Sequence, residues 1–526
     1  MSPVKAAASS KITYTSVNAD MTAFHKAFDA ALLDIKSRAG KTHTMFIDGR
    51  AVPSPKGTFD DVSPIDTGLL LAKYPLAALA QVDAAVVGAK SAQKAWAAKP
   101  WQARLDVMHK AAALIRERKF TIAAMMSLEV GKNRMESMGD AEESADLIEY
   151  YAKQVSDTDG FVVPLARLLP NENTSSVLRP YGVFACIAPF NFPMALSAGM
   201  SSAALMAGNA VVYKPSQEAP WTGELLYEIY RDAGVPAGVF QFVTGDGPNT
   251  GEALWRHQLV DGVVFTGSKD VGMKMYNEFS SRFAKPVLME LGGKNPTYVS
   301  ETADLDAAAE GVMKSAFGLQ GQKCSACSRV YVHEKVYDAF KTKLAAKTQA
   351  IKIGDPCDKD VYLGPVIHER AVKTYLAAVK SAKKGGRILI GGEKLKGGIF
   401  DKGHFVAPTI AELPLDHDLF FRELFAPFLA IGKVKSIDSA IAESNKAEYG
   451  LTAGIFTAKR EEIDQFFDEV ESGVCYANRR TGATTGAWPG VQAFCGWKGS
   501  GSTGKGGCGP YYVAQFMREQ SRTIME

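Results

Sequence analysis

The chain contains the segment Val263-Val264-Phe265-Thr266-Gly267-Ser268-Lys269-Asp270-Val271-Gly272. Its β-branched and aromatic start predicts a buried strand, and the residues after the glycine turn have helical character. N–H groups at the start of a helix, together with a serine hydroxyl, are well suited to bind phosphate. The segment therefore predicts a parallel α/β layer whose turn, around Gly267, Ser268 and Gly272, holds a dinucleotide pyrophosphate.

The same alternation of strands and helices extends in both directions from this segment. Apolar β-branched runs predict strands, and amphipathic stretches predict helices that cover them. The predicted strands are Val183–Ile187, Ala210–Tyr213 and Thr297–Val299, and the predicted helices are Met21–Arg38, Val82–Trp96, Trp101–Lys119 and Ser137–Lys153. This pattern is typical of the α/β class, and 526 residues are enough for two or three domains.

Composition excludes several classes of partner. The formal charge is only +3 and no block of like charge stands out, so neither nucleic acid nor an anionic membrane is expected to bind. Residues 1–17 lack the apolar core of a signal peptide, and no later stretch is long enough to span a membrane. Seven sparse cysteines suit free thiols in a reducing compartment. We expect a cytoplasmic protein with a poorly ordered tail over its first twenty residues.

Two stretches lack a helical period. Residues 156–180 are polar and interrupted by prolines, which predicts an extended hairpin, a feature that often serves oligomerisation. Residues 479–510 are rich in glycine, which by composition alone fits a flexible linker. The bulky Trp488, Phe494 and Trp497 within them favour an ordered loop over a ligand site instead.

A candidate nucleophile lies in Phe317-Gly318-Leu319-Gln320-Gly321-Gln322-Lys323-Cys324-Ser325-Ala326-Cys327-Ser328, where a helical pattern breaks down. Cys324 and Cys327 form a C-x-x-C pair, which also occurs in redox disulfides and in zinc sites. Zinc requires a second ligand pair, and none is suitably spaced among the other cysteines and the eight histidines. A thioredoxin-like site needs a small domain, whereas this pair lies deep in a long chain. We interpret Cys327 as structural and expect no metal.

Two upstream motifs set Cys324 apart from a buried structural cysteine. In Met289-Glu290-Leu291-Gly292-Gly293-Lys294 a carboxylate stands beside two glycines, and in Pro189-Phe190-Asn191-Phe192-Pro193 an amide stands between aromatics and prolines. Taken alone, Glu290 is explained as a surface residue and the second motif as an ordinary turn. Together with a thiol, they supply a base and an N–H donor for a developing negative charge.

These three motifs, in this order, resemble the aldehyde dehydrogenase superfamily, and the resemblance runs from about Phe46 to Arg522. It implies that Cys324 attacks an aldehyde to give a thiohemiacetal, while Asn191 and the N–H of Cys324 hold the oxyanion. Hydride then passes to a nicotinamide, and Glu290 activates water to hydrolyse the thioester. Relatives that transfer the acyl group to coenzyme A usually lack this glutamate, so a free acid is the expected product. A coenzyme-A-acylating enzyme and a non-catalytic relative remain the alternatives.

The resemblance also implies a fold and a cofactor site. The expected aldehyde dehydrogenase-like fold has a Rossmann-like cofactor domain, an α/β catalytic domain and a β-hairpin oligomerisation arm, which predicts a dimer or a higher homo-oligomer. The expected divisions are an N-terminal extension (1–40), the dinucleotide-binding domain (41–155 and 181–288), the catalytic domain (289–500) and the arm (156–180 and 505–526). The residues expected to contact NAD or NADP are Pro189, Phe190, Lys214, Ser216, Gln217, Gly267, Ser268, Gly272, Glu423 and Phe425.

Two details bear on the cofactor. The competing pattern Gly245-Asp246-Gly247-Pro248-Asn249-Thr250-Gly251 is interpreted as a structural turn. Members of the superfamily that prefer NAD commonly carry a glutamate three residues after the lysine, where this chain has Gln217. Because that carboxylate repels a 2′-phosphate, its absence is consistent with use of both NAD and NADP, although Glu218 stands next to it.

Within the superfamily the chain resembles the 1-pyrroline-5-carboxylate dehydrogenases, which oxidise glutamate γ-semialdehyde in proline breakdown. The resemblance includes the stretches 129–133, 147–152 and 318–326. The implied substrate contacts are Glu143 to the α-ammonium, Ser325 with Gly482 and Ala483 to the α-carboxylate, and Phe192 and Phe494 along the carbon chain. The loop 484–490, which includes Trp488, is longer than in the family. It leaves a larger or aromatic aldehyde as the alternative substrate.

Overall fold

The computed structural model describes residues 21–281 and 283–526. The tail predicted for residues 1–20 lies outside the described residues. The helices are α1 Thr22–Arg38, α2 Leu79–Ala97, α3 Trp101–Val130, α4 Arg134–Asp157, α5 Ala195–Met206, α6 Pro220–Ala233, α7 Glu252–Trp255, α8 Lys269–Phe279, α9 Leu305–Phe317, α10 Tyr337–Gln349, α11 Glu369–Gly385, α12 Ile437–Asn445 and α13 Arg460–Glu469. No helix within the two described ranges is both long enough and apolar enough to cross a membrane.

The strands are mostly short and buried. They are β1 Lys41–Thr42, β2 Met45–Ile47, β3 Arg50–Val52, β4 Thr58–Val62, β5 Leu70–Pro75, β6 Val162–Pro164, β7 Glu172–Pro180, β8 Val183–Ile187, β9 Ala210–Lys214, β10 Phe240–Phe242, β11 Gly262–Thr266, β12 Val287–Glu290, β13 Asn295–Val299, β14 Cys327–His333, β15 Arg387–Ile390, β16 Thr409–Glu412, β17 Phe428–Val434, β18 Tyr449–Gly450, β19 Thr452–Phe456, β20 Val474–Ala477, β21 Trp497–Lys498 and β22 Met517–Met525.

Two seven-stranded sheets form the centres of the molecule. The first has the order β12-β11-β8-β9-β10-β2-β3, with its first five strands parallel. The second has the order β15-β16-β17-β14-β13-β19-β20 and is parallel except for β15. Strands β8, β9, β11 and β13 are buried along their whole length, as expected for parallel strands covered by helices on both faces.

The order of the first sheet determines where a ligand can bind. From β8 the chain proceeds to β9 and β10 on one side, and later to β11 and β12 on the other. The order therefore reverses between β8 and β11, and a crevice opens at the carboxyl ends of strands at such a point. Pro189 follows β8 there, and Gly267 follows β11. Residues 291–294 link the carboxyl end of β12 to the amino end of β13, so the two sheets meet at this crevice.

The predicted hairpin is present. Strand β7 pairs antiparallel with β6 and, along all nine of its residues, with the C-terminal strand β22. The three-stranded sheet and the loop between β6 and β7 expose several apolar side chains, among them Ile524 of β22 and Leu168 of the loop, which is 93% exposed. Residues 505–516 precede β22 and contact α4. For example, the N–H of Val513 donates a hydrogen bond to the Gln154 side chain. The predicted domain boundaries remain predictions.

Two helices are longer than the sequence pattern indicated. The helix predicted to end at Lys119 continues to Val130, because residues 122–130 are all buried and, apart from Glu129, apolar or small. It ends at Gly131, whose left-handed φ of 77° terminates a helix readily. Helix α4 begins at Arg134, where Asn133 accepts a hydrogen bond from the N–H of Glu136.

Candidate active site

Cys324 lies in a tight turn between α9 and β14. Leu319 and Gln320 adopt left-handed φ values of 47° and 56°, and Gly321 follows at 67°. A Cβ at Gly321 would lie 2.4 Å from the carbonyl oxygen of Ala426, so a glycine is required here. The turn reverses the chain at the end of α9, so that Cys324 stands at the amino end of β14.

The thiol of Cys324 is largely buried and close to two carboxylates. Burial is the main cause that raises its pKa to about 12, and the charges of Glu290 and Glu423 raise it further. The backbone N–H groups of Ser325 and of Cys324 itself act in the opposite direction. These N–H groups therefore lie at the sulfur, where they can stabilise negative charge.

Residues 318–324, which carry the predicted nucleophile Cys324, form what is called the nucleophile turn below. Asn191 is positioned against this turn. Its side chain is buried, and its Nδ2 donates to the carbonyl oxygen of Gln322 at 3.0 Å, two residues before Cys324. It follows β8, at the point where the first sheet changes direction. The predicted pair of cysteine and amide is therefore brought together, across a separation of more than a hundred residues.

Glu290 ends strand β12, and its main chain is fixed on both sides. Its carbonyl oxygen accepts from the N–H of Gly267 at 3.2 Å, and its backbone pairs with Gly501. Burial raises the pKa of its carboxyl well above the usual range, and the N–H of Gly496 opposes this. Its Oε2 has no contact with solvent and no hydrogen-bond partner among the described residues. A carboxyl in this setting holds a proton more readily and is suited to act as a general base.

The other cysteine of the C-x-x-C pair has a different environment. Cys327 and Cys324 are both free thiols. Cys327 is buried, its Sγ lies 3.2 Å from Thr297 Oγ1, and burial raises its pKa to about 11. Within residues 21–281 and 283–526, no three metal-ligating side chains cluster together. The surroundings of Cys327 are those of a structural residue.

A cleft of about 530 Å³ separates the first turn of α8 from residues 418–423 and 446–449. Ser268 lies on one wall and Glu423 on the other. Ser268 is the N-cap residue of α8, and its hydroxyl makes no capping bond, so it faces the cleft as a donor and acceptor. Glu423 accepts from the N–H of Gly293 at 2.8 Å, and burial raises its pKa to about 7. This cleft can hold a dinucleotide between a helix N-terminus and a carboxylate.

Glycines shape this wall. A Cβ at Gly272 would lie 2.5 Å from Leu291 Cδ2, so α8 packs closely over the end of β12. A Cβ at Gly267 would lie 2.4 Å from the ring of Phe265. After the end of β8, the rings of Phe190 and Phe425 pack edge to face, with their centroids 5.8 Å apart. Pro189 directly precedes Phe190 in this segment. The residues predicted around the nicotinamide end are therefore adjacent.

The predicted adenosine end lies after β9. Lys214 is buried, its Nζ donates to the carbonyl oxygen of Pro215 at 3.0 Å, and burial lowers its pKa to about 8. Ser216 accepts from the N–H of Glu218, and Gln217 is exposed. The competing glycine stretch 245–251 folds into a turn that the Asp246 side chain caps through the N–H groups of Asn249 and Thr250.

The predicted carboxylate contacts converge on the nucleophile turn. The hydroxyl of Thr484 donates to the carbonyl oxygen of Ser325 at 2.7 Å, which holds Gly482 and Ala483 close to it. However, the N–H of Gly482 donates to Arg479, and that of Ala483 donates to Gly311. Both predicted donors to a substrate carboxylate are thus already bonded within the protein.

The remaining predicted substrate residues surround the same region. Glu143 on α4 and Glu290 both raise the pKa of the buried Cys508 thiol, so both lie near it. The N–H of Phe494 donates to Gly507, the residue before Cys508, and thereby fixes the backbone at Phe494. Phe192 lies 3.9 Å beneath the ammonium of Lys132.

The long loop 484–490 links the region of Ser325 to helix α4. At one end Thr484 is bonded to Ser325, and at the other the indole N–H of Trp488 donates to Asp146 Oδ2 on α4 at 2.7 Å. Asp146 is one turn from Glu143 on the same helix. The loop therefore extends from the nucleophile turn to the helix that carries the predicted ammonium contact.

Sequence reasoning missed several residues that organise the site. Asn295 donates from Nδ2 to the carbonyl oxygens of Cys324 at 2.7 Å and Ala326 at 2.9 Å. Lys294, beside it, is buried, and burial lowers its pKa to about 7. Both directly follow the Gly292-Gly293 pair, which was the available signal. Glu136, which contacts the nucleophile turn, gave no local signal.

A thiol near an amide donor and a carboxyl of raised pKa, with a cleft of about 530 Å³ bordered by Glu423, is the arrangement expected of a cysteine-dependent oxidoreductase. The profile of the aldehyde dehydrogenase family matches residues 51–521. The chain is 34% identical to a 1-pyrroline-5-carboxylate dehydrogenase of Geobacillus sp. (strain WCH70) and 36% identical to one of Halalkalibacterium halodurans, each alignment covering 95% of this chain and 96% of the relative. The chain belongs to the aldehyde dehydrogenase family, which confirms the resemblance found in its motifs.

Solved structures agree with this assignment. The crystal structure of a 1-pyrroline-5-carboxylate dehydrogenase from Thermus with bound NAD matches with a TM-score of 0.92 and 33% sequence identity, covering 97% of this chain and 98% of that one. The predicted aldehyde dehydrogenase-like α/β fold is therefore confirmed.

Proposed function

We propose that this protein oxidises glutamate γ-semialdehyde to glutamate, with NAD or NADP as cofactor. The observation that carries the proposal is the placement of Glu290, a buried carboxyl with a raised pKa, close enough to Cys324 for its charge to raise the thiol's pKa. Relatives at 34–36% identity over nearly the whole chain bear the name 1-pyrroline-5-carboxylate dehydrogenase, which supports the choice of substrate.

Each catalytic residue has one task. Cys324 loses its proton and forms a bond to the aldehyde carbon. Asn191 Nδ2 and the N–H of Cys324 donate to the aldehyde oxygen as it becomes negative. After oxidation, Glu290 takes a proton from the water that attacks the thioester, and the free acid leaves the sulfur. An intact base favours hydrolysis over acyl transfer to coenzyme A.

The cleft fits a nicotinamide dinucleotide by its donor set. Ser268 and the N–H groups at the start of α8 suit the pyrophosphate, while Gly267 and Gly272 let the turn and α8 pack closely onto Phe265 and Leu291. We expect Lys214, Ser216 and Gln217 to contact the adenosine ribose, and Glu423 the nicotinamide ribose. The cofactor, when bound, accepts the hydride that leaves the substrate carbon. The exposed Gln217 places no carboxylate against a 2′-phosphate, which supports use of both NAD and NADP.

A larger or aromatic aldehyde is the second candidate substrate. Two observations favour it: the N–H groups of Gly482 and Ala483 are already bonded within the protein, and the Trp488 loop crosses toward α4. A substrate carboxylate would then depend mainly on the Ser325 hydroxyl. A neutral aldehyde requires none of these donors.

The test is a substrate panel with purified enzyme. Glutamate semialdehyde, short aliphatic aldehydes and benzaldehydes are compared by kcat/KM with NAD and with NADP, and the product is identified with and without coenzyme A. We expect glutamate semialdehyde to give the highest kcat/KM and free glutamate as product. Ser325→Ala should raise KM for glutamate semialdehyde and leave KM for propanal unchanged. No activity on glutamate semialdehyde, with good activity on benzaldehydes, would favour the second candidate.

The arm supports a homo-oligomer. Apolar side chains of β6 and β22 and of the loop before β7 are exposed, including Val163, Leu168, Leu169 and Ile524. An exposed apolar patch of this kind is typical of a protein interface, and we propose that a second copy of the chain covers it. Light scattering should give a dimer or larger for the full chain, and a monomer on deletion of residues 517–526.

A further inference from the structure

The first turn of α4 contacts the nucleophile turn directly. Glu136 Oε2 accepts a hydrogen bond from the N–H of Leu319 at 2.9 Å, and Glu136 Oε1 accepts one from Lys323 Nζ at 2.7 Å. The side chains of Glu136 and Lys323 are only 14% and 11% exposed, so water screens this ion pair little. One carboxylate thus bridges two points of the turn that ends at Cys324.

The bridged turn is strained and requires support. Leu319 and Gln320 both hold left-handed φ values, a backbone conformation that is strained for residues other than glycine. Outside the bridge, Gln320 Nε2 donates to the carbonyl oxygen of Gly131 at 3.1 Å. The loop between α3 and α4 therefore also holds the turn.

The carboxylate is itself held in place. Asn133 caps α4 and accepts from the N–H of Glu136 at 3.0 Å, while Asn133 Nδ2 donates to the carbonyl oxygen of Tyr362 at 2.9 Å. A Cβ at Gly318 would lie 3.0 Å from Glu136 Oε1, so the absence of a side chain there lets the carboxylate approach the turn. The bridge is therefore a fixed contact between a helix and the nucleophile turn.

We propose that Glu136 is a positioning residue for Cys324. It fixes both ends of the segment 319–323, so the thiol enters the reaction already aimed at the substrate carbon and at the Asn191 donor. The proposal rests on the assignment of Cys324 as the nucleophile in the proposed function. Glu136 touches no reacting atom in this arrangement and acts through the backbone of the turn.

The matched control lies on the same helix. Glu142 forms an ion pair with Lys119 at 2.7 Å, the same distance as in the Glu136–Lys323 pair. The side chains of Glu142 and Lys119 are also largely buried. Lys119 belongs to α3, so this ion pair joins α3 to α4, whereas the Glu136–Lys323 pair joins α4 to the nucleophile turn. Glu142→Gln therefore removes an equivalent ion pair from α4 without disturbing Cys324.

The experiment compares Glu136→Gln, Glu136→Ala and Glu142→Gln in the full-length enzyme. The measurements are the rate of Cys324 alkylation by iodoacetamide against pH, the burst of NADH formation, KM for NAD and Tm. Misplacement by about 1 Å can cost roughly 100-fold, so we expect Glu136→Ala to slow the burst by about 10- to 100-fold. The Gln variant, which keeps one acceptor oxygen, should slow it less. KM for NAD should change little in either, and Glu142→Gln should lower Tm without slowing the burst.

Lys323→Met provides a second route if Glu136→Ala fails to fold. It removes the ammonium but leaves the bond from the N–H of Leu319, so an intermediate loss of burst rate is expected. Equal burst and alkylation rates in the Glu136 variants and in Glu142→Gln would overturn the proposal. A changed alkylation profile in a protein that does not oxidise glutamate semialdehyde would support the positioning role while refuting the proposed substrate.

Discussion

Replacement of Glu290 by glutamine separates the two halves of the proposed reaction. One carboxylate oxygen accepts from the N–H of Gly496, and Oε2 has no partner within the described residues. An amide has almost the same shape and can keep the bond from Gly496. It cannot take a proton from water, so hydrolysis of the thioester loses its base while the attack by Cys324 keeps its oxyanion donors.

The size of the effect follows from these contacts. Loss of a general base costs roughly 10²- to 10⁴-fold in rate, or about 3–5 kcal/mol of barrier. The amide nitrogen takes the unpartnered position, and an unsatisfied buried donor costs about 1–3 kcal/mol of stability. Because the Glu290 charge helps to raise the Cys324 pKa to about 12, its removal should lower that pKa and shift the alkylation profile to lower pH.

The assay is stopped-flow measurement of NADH formation. Glu290→Gln should give a burst of NADH near one equivalent per active site. The steady-state rate that follows should be roughly 10²- to 10⁴-fold slower than that of the unmodified enzyme. Glu423→Gln is the control: Glu423 also raises the thiol pKa but binds the N–H of Gly293, so its removal should weaken cofactor binding without accumulating an acyl-enzyme. An unchanged steady-state rate, or a burst that disappears with the base, would refute the assignment of Glu290.

Three further outcomes are expected. Lys214→Met should raise KM for the cofactor about tenfold in steady-state kinetics, because a ribose contact is lost. Its Tm in thermal melts should stay nearly unchanged, because the buried charge is removed together with that contact. An unchanged KM would contradict this. Gly272→Ala should destabilise by about 1–3 kcal/mol in urea unfolding, since its Cβ would lie 2.5 Å from Leu291; equal stability would argue against tight packing of α8. Burial raises the pKa of Glu129 from 4.5 to about 7, so its contribution to stability is present below pH 4.5 and is lost as pH rises through 7. The Tm of Glu129→Gln should therefore depend less on pH over that range than the Tm of the unmodified enzyme. Parallel plots of Tm against pH for the two proteins would contradict this.

The residues proposed to be catalytic were accessible from sequence because each lies in a short motif. Cys324, Glu290 and Asn191 stand beside glycines or prolines that interrupt the pattern of helices and strands, and such interruptions are visible locally. Strand Val183–Ile187 was also predicted with its observed bounds, since its residues are uniformly apolar and are β-branched, aromatic or small.

The positioning residues were not accessible for a physical reason. Glu136 and Leu319 are 183 residues apart, and Asn295 and Cys324 are 29 apart, so no local pattern links them. The length of α3 was missed because residues 122–130 are buried on all sides and therefore lack an amphipathic period. The bonded state of the Ala483 N–H likewise depends on how its loop packs against α9, where Gly311 lies.

The central claim is that an acyl group passes through Cys324. Glu290→Gln is mixed with glutamate semialdehyde and NAD, quenched in acid and digested, and the cysteine peptides are examined by mass spectrometry. The account predicts one glutamyl thioester per chain, which fragmentation of the peptide that contains Cys324 and Cys327 places on Cys324. A thioester on Cys327, or NADH formed in a burst with no acyl group on either cysteine, would contradict it.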